Sequence, residues 1–200
     1  IEQVNFSSKI QIIPRYAFYL CNNLIDINLS NITNISEYAF YNCSKLKNVD
    51  LNKTNEIGRY AFSSCTSLTL INLSNVIKLG SFAFNDCFNL ENINSIENTN
   101  EIGDKVFYGC RKLSTSISFK NNVILGTEIF NNCSSLTTIN NFNFDEYDIY
   151  KNLFSSSINV IENIQINQHI SNEELYKVIG YNTSTQILDM SSKDLEDKKI

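Results

Sequence analysis

The side chains best suited to chemistry in this chain are six cysteines, one histidine and one adjacent pair of glutamates, and their spacing decides what each can do. Cys21, Cys43, Cys65, Cys87, Cys110 and Cys133 recur singly, at steps of 22 or 23 residues. A structural zinc site draws its ligands from close pairs such as Cys-x-x-Cys, and His169 is the sole imidazole in the chain. No metal site is therefore expected. His169 stands beside a helix-start signal, and neither a Gly-rich phosphate loop nor a nucleophile elbow is present to supply a catalytic partner. Glu173-Glu174 falls in the first turn of a predicted helix, where acids favour the helix dipole. The sequence reads as non-enzymatic, with no catalytic residue, no metal and no cofactor.

The cysteines belong to a repeat. Ala17-Phe18-x-x-Cys21, Ala39-Phe40-x-x-Cys43, Ala61-Phe62-x-x-Cys65 and Ala83-Phe84-x-x-Cys87 follow one another at 22-residue steps. Val106-Phe107-x-x-Cys110 and Ile129-Phe130-x-x-Cys133 follow at 23, and Leu153-Phe154-x-x-Ser157 is a decayed copy at 24. Four residues before the Ala position stand Ile13, Ile35, Ile57, Leu79, Ile102, Leu125 and Ile149. Three after the Cys, a leucine opens L-x-x-[IV]-x-L, as in Leu24-x-x-Ile27-x-Leu29 and Leu46-x-x-Val49-x-Leu51. This period and pattern mark leucine-rich repeats, each coil giving one strand to a parallel sheet.

The form I-x-x-x-A-F-x-x-C-x-x-L-x-x-I-x-L resembles the BspA-like, or Treponema pallidum-type, leucine-rich repeats across about residues 1–166, although Leu29-Ser30-Asn31 and Leu73-Ser74-Asn75 replace the proline usual after the strand. The expected fold is an α/β solenoid. It is a right-handed superhelix with one parallel sheet of at least seven strands, near residues 3–6, 26–29, 48–51, 70–73, 92–94, 116–119 and 138–140. The convex side is expected to be mostly irregular or short-helical. In residues 167–200 a helix-bearing repeat is predicted: Ser171-x-x-Glu174 is a capping box, Leu175, Val178 and Ile179 share a helical face, and residues 187–191 read as a strand. Residues 1–200 form one solenoid fragment. It opens partway through a repeat, with Ile1-x-x-Val4-x-Phe6, and is expected to continue past Ile200.

Stacked coils turn each repeated position into a column. The Phe column from Phe18 to Phe154 should fill the core, and the six cysteines should be reduced, small, buried hydrophobes. Parallel neighbours about 4.8 Å apart hold their Cβ atoms farther apart than the roughly 3.8 Å a disulfide favours. Alternation along the strands turns Asp26, Asn28, Asn48, Asp50, Leu70, Asn72, Asn92 and Asn94 outward. They are the candidate ligand-binding residues. The same row could instead be an amide ladder that satisfies itself. A second candidate is the aromatic column Tyr16, Tyr38, Tyr60 and Phe82, which gives way to Lys105, Glu128 and Asn152 and therefore sees solvent. It could be a contact patch, or stacking that stiffens the coil.

Composition narrows the partners. Formal net charge is −5 and the sixteen Lys and Arg are scattered, so no basic face for nucleic acid is expected. No apolar run reaches the roughly 18 residues of a membrane span. What the resemblance implies is a protein- or glycan-binding surface of a cell-surface or secreted, adhesin-like protein. The alternatives are a cytoplasmic scaffold docking a protein assembly and the sensor arm of a larger regulatory protein.

Overall fold

The computed structural model describes residues 3–4, 6–7, 9–120, 123–140 and 165–167. Among the described residues there are twelve short strands: β1 Gln3–Val4, β2 Ile12–Ile13, β3 Asp26–Ile27, β4 Asn34–Ile35, β5 Asn48–Val49, β6 Glu56–Ile57, β7 Lys78–Leu79, β8 Glu101–Ile102, β9 Ile117–Ser118, β10 Ile124–Leu125, β11 Thr138–Asn140 and β12 Gln165–Asn167. All pairings are parallel, and they form sheets ordered β1-β3-β5, β10-β8-β7-β6-β4-β2 and β12-β11-β9.

The chain is thus a parallel β-solenoid, but with two ladders where one sheet was expected. The first ladder runs through the anticipated positions in pieces shorter than anticipated, and between β5 and β9 an isolated Leu70–Asn92 bridge carries it. The second joins the dipeptides at Ile13, Ile35, Ile57, Leu79, Ile102 and Leu125, such as Asn34 with Glu56 and Ile35 with Ile57. Each dipeptide puts one residue out and one into the core. Two residues of alternation are too few to read as a strand from sequence. No helix occurs among the described residues. The predicted helix at 172–179, the strand at 187–191 and Phe154 lie outside them.

The convex side consists of turns, and two left-handed residues in each coil explain their regularity. Tyr16 and Leu20, Tyr38 and Asn42, Tyr60 and Ser64, and Phe82 and Asp86 all have φ between 55° and 62°. In the first such turn the amides of Ala17, Tyr19 and Cys21 close local bonds to Pro14, Tyr16 and Phe18. The alternate amides of Tyr16, Phe18 and Leu20 reach the carbonyls of Glu37, Ala39 and Tyr41 in the next coil. Every donor in this irregular-looking stretch is therefore satisfied, as burial between coils requires.

At the turn entrance the coils nearly touch. A Cβ on Gly80 would lie 2.5 Å from the Arg59 backbone nitrogen and 2.7 Å from the Gly58 carbonyl carbon, so hydrogen is the only side chain that fits there. Inside, Phe40, Phe62, Phe84, Phe107 and Phe130 are fully buried. Successive rings from Phe18 to Phe130 stack at 5.0–5.6 Å with planes within 8° of parallel. Leu24, Leu29, Leu46, Leu51, Leu68 and Leu73 line the remainder. Thr54 and Thr99, which interrupt the apolar column containing Ile32 and Val76, are buried and donate to the Ile32 and Val76 carbonyls at 3.0 and 2.9 Å.

Candidate functional site

The first ladder brings the candidate residues to one surface. Asp26 faces Asn48 in register, and Leu70 pairs with Asn92. All eight are exposed except Asn72, which is half-buried. Their side chains nevertheless have different occupations. The Oδ1 atoms of Asn28, Asp50, Asn72 and Asn92 accept the backbone N–H two residues on, at 2.7–3.1 Å. These Asx turns end the strands and explain why the strands are so short. Asn72 also donates to Asn52 Oδ1 at 2.9 Å. Asn94 has φ 51°. Asp26, Asn48 and Leu70 are the members outside this turn chemistry.

Further amide bonds between coils occur at other columns. Asn75, Asn89 and Asn98 donate to the carbonyls of Asn52, Thr66 and Ser74, each at 2.7 Å. Within the outward row, turn closures at Asn28, Asp50, Asn72 and Asn92 therefore outnumber the inter-coil amide bond from Asn72 to Asn52.

Beside this row, Lys47, Asn48, Ser67, Thr69, Asn89 and Lys112 line an open depression of about 400 Å³. Sequence reasoning reached Asn48 alone. The other five precede the strands, beyond the alternation that was followed, although they share a surface with it. The signal was present as a polar column at Lys45, Ser67, Asn89 and Lys112, one residue before each repeat leucine.

The aromatic column forms a separate surface. Tyr16, Tyr38, Tyr60 and Phe82 stack at 5.2, 4.8 and 4.5 Å. Tyr19 and Tyr41 stack beside them at 5.2 Å and meet Tyr38 edge-on. The Arg59 guanidinium lies 5.0 Å from the Tyr60 ring centroid. Tyr16 and Tyr19 are exposed, whereas the other members are half-buried, so ring faces are largely spent on one another.

All six cysteines are free; five are buried and Cys21, the first of the column, is half-buried. Burial pushes the thiols of Cys65, Cys87, Cys110 and Cys133 up. Among the described residues no group of His, Cys, Asp or Glu is arranged to hold a metal ion, and no helix is long and apolar enough to cross a membrane.

A parallel solenoid with Leu, Phe and Cys columns at this period defines a leucine-rich repeat protein. The chain belongs to the BspA-type leucine-rich repeat family, whose model matches residues 1–114 and 100–187. No curated protein matches it. Among solved structures it is similar to the T. pallidum leucine-rich repeat protein, with 25% identity over 68% of this chain and 78% of that one, and a TM-score of 0.52. A leucine-rich cell surface protein from Faecalibacterium prausnitzii A2-165 shows 23% identity over 70% of this chain and 45% of that one, at TM-score 0.48. For a leucine-rich repeat protein from Bacteroides ovatus ATCC 8483 the values are 22%, 80%, 41% and 0.45.

Proposed function

We propose that this solenoid is a non-enzymatic recognition surface, binding a protein or glycan ligand on the face of its first ladder. The observation that carries the reading is two in-register pairs, Asp26 with Asn48 and Leu70 with Asn92, all four residues exposed, mixed in polarity and carried on stacked coils. Repetition favours many modest contacts over one anchor, each hydrogen bond contributing about 0.5–1.5 kcal/mol. A cell-surface or secreted, adhesin-like location is what the family likeness suggests. The test is titration of the purified chain over immobilised matrix glycoproteins and glycans, followed by alanine substitution at Asp26, Asn48, Leu70 and Asn92 one after another. A stepwise decline supports the reading, and indifference to all four rejects it.

A second reading is a scaffold in a reducing compartment, with which six free thiols are compatible. Locating the full-length protein in its own cell, by fractionation with surface labelling, separates the two.

A further inference from the structure

The depression on the ladder face has three features in common with a site for an anionic, polyhydroxylated ligand. First, its two cations are unspent. Lys45, Lys53, Lys78, Lys105 and Lys120 each reach an acceptor in an adjacent coil: Asn23, Asn31, Glu101, Glu128 and Asn100. Among the described residues, the Lys47 and Lys112 ammonium groups have no such partner, and both residues line the same hollow.

Second, the hollow straddles a break in the first ladder. β5 pairs with β3 on one side, while Leu70 pairs forward with Asn92. Among the described residues no backbone hydrogen bond joins 47–49 to 69–71, although Lys47 bonds Ile25 and Glu91 bonds Thr69 in the flanking coils. This unpaired stretch lies at the Lys47 side of the opening, whose lining runs on to Lys112.

Third, the lining between the cations is made of groups that both donate and accept: the hydroxyls of Ser67 and Thr69 and the amides of Asn48 and Asn89. Among the described residues Asn89 uses only its amide N–H, donated to the Thr66 carbonyl, and its Oδ1 has no partner. Sugar hydroxyls are donors and acceptors at once and match this lining. A peptide added as a strand would need an open sheet edge along its length, and away from this one break the flanking coils have paired theirs.

Resting on the ladder-face reading above, we propose that this depression binds an anionic glycan, a segment bearing more than one sulfate or carboxylate, with Lys47 and Lys112 holding charges at its two ends. The two lysines belong to coils three steps apart, so their Cα atoms stand about 14 Å from one another along the stack. That separation requires a ligand spanning several sugars rather than a single ion. Glu91, exposed in the same column as Lys47 and Thr69, opposes the anion and sets a limit on affinity.

The test uses a sulfated, uronate-containing tetrasaccharide, a neutral tetrasaccharide and a poly-glutamate peptide of similar length, each titrated calorimetrically at physiological salt. The sulfated probe alone should bind. Lys47→Gln with Lys112→Gln should weaken it about tenfold or more, as expected on losing charge-assisted hydrogen bonds. Glu91→Gln should tighten it, and Lys9→Gln with Lys53→Gln, which removes equal charge elsewhere, should leave it within about twofold of wild type. Circular dichroism confirms the fold of each variant. Equal loss in the two double variants, preference for the peptide, equal binding of the neutral sugar, or no binding of the sulfated one overturns the assignment. The broader reading is judged separately at Asp26, Leu70 and Asn92, which lie outside the depression.

Discussion

The thiol of Cys65 donates to the carbonyl oxygen of Phe40, one coil earlier, at 3.1 Å. The same pairing joins Cys43 to Phe18, Cys87 to Phe62, Cys110 to Phe84 and Cys133 to Phe107 at 3.0–3.2 Å. Each cysteine therefore clips its turn to the coil before it, which explains a polarizable, weakly donating residue at a position where alanine would also fit the column. Only Cys21 lacks a described coil beneath it to complete the pattern.

Thiol reactivity should follow that arrangement. In native protein treated with a neutral alkylating reagent, Cys21 labels first and the other five only on unfolding, as peptide mass mapping at successive times will show. Early labelling of Cys87 or Cys110 would contradict the buried column.

Alkaline pH should destabilise the fold. The thiols of Cys65, Cys87, Cys110 and Cys133 are raised by burial, so the native state keeps protons that the unfolded chain releases above the ordinary thiol value of about 8.5. Their contribution to stability is complete below that pH and is lost as pH rises beyond it. Melting followed by circular dichroism should give a Tm that falls from about pH 8.5 upward, whereas a level Tm to pH 10 argues against the burial.

Two substitutions probe the frame from opposite directions. Phe62→Ala opens a void in a continuous ring stack and should cost about 3–5 kcal/mol in denaturant unfolding. Gly80→Ala adds a methyl where backbone atoms stand 2.5 Å away and should cost about 1–3 kcal/mol through forced separation of coils. A neutral Gly80→Ala would mean that the coils are not in contact there.

For the aromatic ridge, magnitudes decide between structure and strain. Tyr38 gains about 0.5–1.5 kcal/mol for each good ring pair, against a cost of about 1–3 kcal/mol for a bulky residue at φ 57°. Asparagine tolerates that backbone, so Tyr38→Asn should change stability by less than about 1.5 kcal/mol. A much larger loss would make the ridge a principal structural element.

How much of this was legible depended on whether a feature repeats. Phe62 and Cys65 are placed in the core because a 22-residue period forces equal positions to stack. The outward row at Asp26, Asn48 and Leu70 followed from alternation within L-x-x-[IV]-x-L. The second ladder was not legible, because Glu56-Ile57 and its equivalents are single polar-apolar pairs whose partners are 22 residues away. Nor was the turn role of Asn28, Asp50 and Asn72 visible, since a side chain that closes its own strand and one that awaits a ligand share one pattern of residue types. The depression at Lys47 and Lys112 required knowing that the coils fail to pair between Asn48 and Leu70.

The most direct measurement for the central claim compares two triple variants on one ligand surface. Asp26→Ala with Asn48→Ala and Leu70→Ala empties the ladder face without touching an Asx turn. Tyr16→Ser with Tyr38→Ser and Tyr60→Ser removes the ridge. With folding verified by circular dichroism, biosensor titration over a matrix glycoprotein that binds the wild-type chain should show binding lost in the first variant and kept in the second. Binding kept in the first and abolished in the second would contradict the account and move recognition to the aromatic ridge.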